Sequence, residues 1–387
     1  MSLEYLIRVF NEGITRLNRP ILFRSELLRL KLLIFSDDDK VSAYVLFANA
    51  LKKYGIETTV ARTFKYCFVS QEKPFSLFPS PMMLGLIKRI NPDVVLTNYP
   101  YYVSHLSKLV NRFFILYIGF DMWSEVDIDR NTSPAFYSRA YACYLSAIKE
   151  ACIKKADLVL LNSQWLQTQF KKHLPSQPHN VLYEGIDSNM WNPRVLNQKL
   201  DLKHPAVAGV FQLNQYRKVL GLLSFIRVIK RMPDVNFFFA GTGPYFSLIK
   251  KYSLPNMFFL GRLSQSEVKG LLEGCDVFVH PSGLDAFPRS VKEASLLEKP
   301  IVASNVGGIP EIIRDNETGY LCEIDNIDQW VEKIRFFLDN PNIASMFGKR
   351  AREYVLKKFD WDRLAESFVE TLSSSNNSFL KKSMLQG

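Results

Sequence analysis

Short apolar runs alternate with amphipathic helical stretches through most of this chain, and that alternation restricts the fold more than any other feature. "LKLLIFS" (residues 30–36) has the unbroken apolar character of a strand buried on both faces. "AYVLFANALKKYG" behind it has helical spacing and a closing glycine, Gly55. "DVVLTNY", "RFFILYIGF", "ADLVLLNS" and "HNVLYEGID" continue the series of strands. A polar stretch, "SNMWNPRVLNQKLDLKHP", then follows Asp187 and reads as a linker. Beyond it the alternation restarts with "AVAGVFQLN", helix "VLGLLSFIRVIKRM", strands "NFFFAGTG" and "NMFFLGR", helix "QSEVKGLLEGC" and strand "DVFVHPS". Apolar strands separated by helices form parallel sheets covered on both faces. The expected architecture is α/β, two doubly wound domains in tandem. The ligand site then lies in the cleft between them, at the carboxyl ends of the strands. From about Asn326 onward the pattern is helical. We divide the chain into an N-terminal domain at 1–200, a second domain at 201–350, and terminal helices at 351–387 that end in a frayed polar tail.

A chain of 387 residues with 47% apolar and 13% aromatic side chains has enough material for two such cores. The formal net charge of +11 points to an anionic partner: nucleic acid, an anionic membrane or a phosphorylated ligand. No Lys/Arg block, Cys/His finger or RNA-binding signature accompanies the charge, which argues against nucleic acid. Five scattered cysteines without a CxxC fit reduced thiols in the cytoplasm. No run reaches the ~20 apolar residues that a membrane span needs, and no compact signal core opens the chain. A cytoplasmic protein, soluble or peripheral at a membrane face, is expected. Leu3, Leu6, Ile7, Phe10, Ile14 and Leu17 form an amphipathic stripe within residues 1–22. It reads as a helix packed on the first domain, with a place on a membrane surface as the alternative.

The chemistry concentrates after "CDVFVHPS". Asp285 falls on the loop that leaves this strand, Pro288 where a first helical turn suits proline, and Glu293 inside the helix. A carboxylate beside a helix N-terminus either caps the helix or grips a ligand whose phosphate sits at the same N-terminus. Capping alone does not account for Glu293. Two carboxylates bracketing a helix start suit a ligand with a diphosphate in the middle and a hydroxyl-rich sugar at each end, which is the form of a nucleotide sugar. Gly307 and Gly308 follow a strand and precede Pro310–Glu311. They make either a plain turn or a backbone surface that approaches phosphate or sugar closely. Arg217 and Lys218 open the helix after "AVAGVFQLN", either as a solvated helix start or as a cation pair for a diphosphate.

Together these segments resemble the retaining glycosyltransferases of family 4, the glycosyl transferases group 1, which have the GT-B fold. The donor-domain pattern is Glu, seven residues, Glu, then a strand and a Gly-Gly-x-Pro-Glu turn. Here it reads Asp285, seven residues, Glu293, then "EKPIVASNVGGIPE". "LNSQW" and "VLYEGIDSNMW" are similar to elements that close the first domain, and "KKFDWDRLAESFVETL" to terminal helices that return to it. The resemblance implies two Rossmann-like domains, the donor held by the second and the acceptor by the first. It implies a metal-independent transfer with retained configuration and no cofactor beyond the donor itself, a UDP- or GDP-sugar. Glu293 would hold the ribose and Asp285 would face the transferred sugar. Lys218, with Arg217, would meet the diphosphate, helped by backbone near Phe287, Gly307 and Gly308. The acceptor would be a glycan or a lipid-linked molecule at the inner face of a membrane.

Four positions depart from the pattern. Asp285 replaces the first glutamate, Pro288 a glycine, and Gln212 the first phosphate-binding arginine, while Asp121 occupies the neighbourhood of a first-domain histidine. Asp121 is therefore the first-domain candidate for the catalytic set. Pro288 has no N–H to offer a phosphate, and Arg289 is the candidate to compensate for it. A weakly active or inactive sugar-binding partner subunit is the alternative that these departures leave open. The run Asp37–Asp39 reads as solvated or capping, or as a contact to a cationic or polar acceptor, rather than as a metal site; the histidines show no ligand spacing, and His280, near the site, reads equally as structural or functional. Residues 64–90 mix aromatic, methionine and cationic side chains, which suits either core plus loop or an apolar, basic acceptor surface.

Overall fold

A computed structural model describes residues 30–36, 41–62, 81–98, 106, 109–120, 123, 150–195, 198–213 and 215–374. The N-terminal stripe, Asp37–Asp39, Asp121, residues 64–80 and the tail from 375 lie outside the described residues.

The first sheet contains β1 (Lys31–Ser36), β2 (Glu57–Arg62), β3 (Val94–Thr97), β4 (Phe113–Ile118), β5 (Leu158–Leu161) and β6 (His179–Val181) in the order β2-β1-β3-β4-β5-β6. All its pairings are parallel. Strands β3, β4 and β5 are buried at every position, as their unbroken apolar runs require. Helix α1 (Val41–Leu51) crosses from β1 and is followed by one tighter turn. It stops at Gly55, whose φ of 75° lies in the left-handed region that glycine enters without strain. Helices α2 (Pro81–Ile90) and α3 (Gln164–His173) also belong to this half.

The second sheet contains β7 (Ala206–Val210), β8 (Asn236–Ala240), β9 (Met257–Gly261), β10 (Val277–His280), β11 (Ile301–Ser304) and β12 (Tyr320–Cys322) in the order β12-β11-β10-β7-β8-β9, again all parallel. Its connecting helices are α4 (Tyr216–Lys230), α5 (Phe246–Lys250), α6 (Gln265–Gly274) and α7 (Arg289–Leu296). In each sheet the winding reverses beside its first strand, so the loops leaving β7 and β10 diverge and open a crevice at their carboxyl ends. Two doubly wound sheets are the architecture that the sequence pattern requires.

The stretch between the sheets is not a free tether. Trp191, 3% exposed, sits in the core beside α7, Leu200 N–H donates to the Gly270 carbonyl, and the Lys269 ammonium reaches the Val195 carbonyl at 3.0 Å. Helix α8 (Ile327–Asp339) covers one face of the second sheet, and α9 (Pro341–Phe359) packs along α7. Helix α10 (Trp361–Ser374) then returns to the first core, where Leu364, Phe368 and Leu372 join α1 and β1. Among the described residues no helix is long and apolar enough to cross a membrane.

Glu311 ties the two halves. Its carboxylate accepts the backbone N–H groups of Gln164 (2.9 Å) and Trp165 (2.8 Å) at the start of α3, and the Tyr183 hydroxyl at 2.9 Å. Ser163 caps the Leu166 N–H of the same helix. A helix start leaves its first amides without internal partners, and here a residue of the second half satisfies two of them. We expect Glu311→Ala to lower the unfolding free energy by about 1–3 kcal/mol, read as a drop in urea midpoint. An unchanged midpoint would show that the tie contributes nothing.

Candidate active site

The second sheet's crevice is built by close backbone approaches that only glycine permits. A Cβ on Gly283 would stand 2.1 Å from the Arg217 carbonyl, and one on Gly221 would stand 2.4 Å from the Gly283 amide. Two glycines therefore let the first turns of α4 press against the loop that leaves β10. That approach brings the Lys218 Nζ to 3.0 Å from Asp285 Oδ2. On the other side, a Cβ on Gly307 would stand 2.0 Å from the Asp285 carbonyl, and one on Gly308 1.9 Å from the Ala286 carbonyl. Gly307 has φ of 59°, and the Gly308 N–H donates to the Asp285 carbonyl at 2.9 Å. The glycine pair thus fixes the backbone of Asp285, and the Gly308 amide is already engaged.

Asp285 is 8% exposed. Burial by itself pushes its carboxyl up, but Lys218 and then His280 outweigh it and hold it at about 2, so the group stays ionised. His280 ends β10 with its Nε2 3.5 Å from the same Oδ2. That separation is at the limit of hydrogen-bond reach, so any bond from Nε2 to Oδ2 is long.

Glu293 lies one helical turn into α7 and behaves differently. Burial pushes its carboxyl up to about 7, against the pull of Arg289 and Lys292 and with the push of Glu184. The residue as a whole is half-buried. It lines a cavity of about 90 Å³ together with Ala43, Gly185, Gln265, Arg289 and Trp361, which joins α7 to α1 of the first half. Arg289, the candidate to compensate for Pro288, is instead paired with Glu184, its Nε 2.8 Å from Oε1. Lys292 is fully buried, donates to the Glu184 carbonyl at 2.6 Å, and lies 4.4 Å above the Phe287 ring. The Phe287 ring is core, against Tyr183 and Phe359, which leaves only its backbone for a ligand. Pro288 is the N-cap of α7, with no side-chain cap, so the first-turn amides of the helix face the crevice without a protein acceptor from that residue. The Arg217 guanidinium has no ion-pair partner among the described residues and is partly exposed at the start of α4.

The crevice thus holds Asp285, Lys218, Arg217, Gly307 and Gly308 together at the carboxyl ends of β7, β10 and β11, with Glu293 behind them on α7. A model of the glycosyl transferases group 1 matches residues 197–354, which carry all of these groups. Residues 197–354 belong to the glycosyl transferases group 1 family. This group 1 domain sits in a chain that is 27% identical over 340 residues to the sulfoquinovosyl transferase SQD2 of Arabidopsis thaliana, covering 80% of this chain and 61% of that protein. The chain spans about three fifths of the length of the curated relatives it matches. A sucrose-phosphate synthase from Thermosynechococcus elongatus has the same fold, with TM-score 0.69 and 15% identity over 88% of this chain and 98% of that one. Anabaena HepE in complex with UDP-glucose does too, with TM-score 0.64 and 18% identity over 89% of this chain and 100% of that one. The fold is GT-B.

Sequence reasoning passed over Gly221 and Gly283, although glycines facing each other across a helix and a loop are the signal of a close approach. It left His280 undecided and did not single out Glu184. Nothing in the spacing of Glu184 marks it, because its partner Arg289 is 105 positions away.

A methyl group at position 283 must displace the start of α4. Gly283→Ala should therefore separate Lys218 from Asp285, and calorimetry should read weaker binding of a nucleoside diphosphate; unchanged binding would show that this ion pair has no part in holding the ligand. For Glu293, a folded-state value raised from 4.5 to about 7 means stability is fully present below pH 4.5 and is lost as pH rises through 7. Glu293→Gln carries no such charge. Its stability relative to the parent should rise between pH 4.5 and 7 by on the order of 3 kcal/mol and then level off. A pH-independent difference in unfolding free energy would refute the buried ionisation.

Proposed function

We propose that the protein transfers a hexosyl unit from a nucleotide diphosphate sugar, a UDP- or GDP-sugar, to an acceptor hydroxyl with retained anomeric configuration. The observation that carries this reading is the ionised Asp285, held by Lys218 beside the start of α7, with the protonatable Glu293 one turn behind it. In this reading Glu293 hydrogen-bonds the ribose hydroxyls. Lys218, Arg217 and the first-turn amides of α7 meet the diphosphate. Asp285 faces the sugar.

The anomeric carbon–oxygen bond breaks with its electron pair passing to the β-phosphate oxygen. The acceptor oxygen attacks from the same face and its proton passes to that phosphate oxygen. The protein's part is to hold both reactants and to stabilise charge that grows on the leaving group. Cationic side chains and helix amides serve that purpose without a metal. Pro288 offers no N–H to the phosphate, so the load falls on the cations of α4. HepE is described in complex with UDP-glucose, and SQD2 by name transfers a sugar, which supports a nucleotide-sugar donor here. The acceptor, a growing glycan or a lipid-linked molecule, would approach from the first domain, whose sequence offers Asp121 as a candidate. The net charge of +11 favours a place at the inner, anionic face of a membrane.

The test is a panel of UDP- and GDP-sugars, with and without a membrane extract as acceptor, scored by release of nucleoside diphosphate. Release with one donor, reduced at least about tenfold by Glu293→Ala, is expected. Absence of release with every donor and acceptor preparation would favour a sugar-binding subunit instead.

A further inference from the structure

Asp285 carries its carboxylate on one methylene, so where its two oxygens point depends on the groups that hold them. Two groups do so, and their closest approaches go to the same atom: Lys218 Nζ stands 3.0 Å from Oδ2 and His280 Nε2 stands 3.5 Å from Oδ2. Neither of these closest approaches is to Oδ1. The imidazole is itself fixed. It is 3% exposed, its ring lies 5.5 Å from that of Phe211 and 6.4 Å from that of Phe278, and Nδ1 is 3.4 Å from the buried Ser290 hydroxyl. Among the described residues Nε2 is buried without a good hydrogen bond, and Oδ2 of Asp285 stands 3.5 Å from it. A buried polar atom in that state is costly unless something moves to satisfy it. Hydrogen bonds in unliganded sites are often long and shorten once substrate is bound.

We infer that His280 is a positioning residue for Asp285: its Nε2–H takes Oδ2 in the donor complex and turns Oδ1 to the transferred sugar. The inference rests on the sugar-facing role proposed for Asp285. Ser290 completes the arrangement, because a hydroxyl that donates to Nδ1 leaves the proton of the neutral ring on Nε2. Lys218 does most to keep Asp285 ionised, and His280 adds direction to a smaller share of the same task.

His280→Phe keeps the ring packing and removes the nitrogen. With the donor that the panel identifies, kcat should fall roughly 10- to 100-fold, while the donor KM changes by less than about threefold. His280→Gln, which restores an N–H at similar reach, should recover most of the loss. In an Asp285→Asn background, His280→Phe should cost less than about twofold further. Multiplicative losses in the double variant, or a raised KM with kcat unchanged, would overturn the inference. A readout without turnover separates it from the proposed activity. Urea unfolding of the parent, both single variants and the double variant should give a coupling of at least about fivefold in the unfolding constant, and independence of the two sites would overturn the inference even where no donor is turned over. Where His280→Phe fails to fold, Ser290→Ala takes its place: a several-fold fall in kcat is expected, and an unchanged kcat would overturn the inference.

Discussion

A carboxylate buried at the end of a parallel strand has to be neutralised, and much of the second domain is arranged around that requirement at Asp285. A cation can reach it only if α4 lies against the loop after β10, which Gly221 and Gly283 allow. The loop itself can hold its path only if the turn after β11 touches its backbone, which Gly307 and Gly308 allow. Four glycines, three elements and one ion pair are thus parts of a single solution. The neighbouring carboxylate is treated in the opposite way. Burial raises the Glu293 carboxyl to about 7 against the pull of Arg289, whose guanidinium is paired with Glu184, while Asp285 remains charged. Two acids eight positions apart therefore enter any reaction in different states, one as a fixed anion and one able to donate as well as accept a proton.

Contacts between the domains have a different character from those within the crevice. They include hydrogen bonds to backbone groups, the Arg289–Glu184 ion pair and ring contacts. Glu311 serves the start of α3, its own carbonyl accepts from Lys358 at 2.8 Å, and Tyr183 lies between Phe287 and Phe359. The motif that ends in Glu311 therefore has a second use. Its glycines shape the crevice, and its acid joins the two sheets.

How much of this could be read from the sequence follows from which interactions are local. The succession and burial of the strands come from short apolar runs, as at β3, β4, β5 and β10, whereas their order in each sheet does not. The loop–helix stretch from Asp285 to Glu293 was legible as a site because its residues are close in sequence and lie beside a helix start. The pairing of Lys218 with Asp285, of Arg289 with Glu184 and of Glu311 with α3 was not. Each joins residues far apart in the chain and depends on how helices cross, which spacing along the sequence does not encode. The polar stretch after Asp187 misled for a related reason: Trp191 and Leu202 are isolated apolar residues in it, too few to form a period, yet both are buried in the second domain.

The return of α10 to the first core means that the polypeptide passes between the two sheets twice. The passages run side by side: Tyr183 meets Phe359 with ring centroids 5.3 Å apart, and a Cβ on Gly185 would stand 2.5 Å from the Trp361 ring. A single strand between two bodies permits swivelling about any direction. Two crossings in contact restrict the relative motion of the two bodies more than one would, and the small Glu293 cavity, bounded by Trp361 and α1 on one side and α7 on the other, lies beside them.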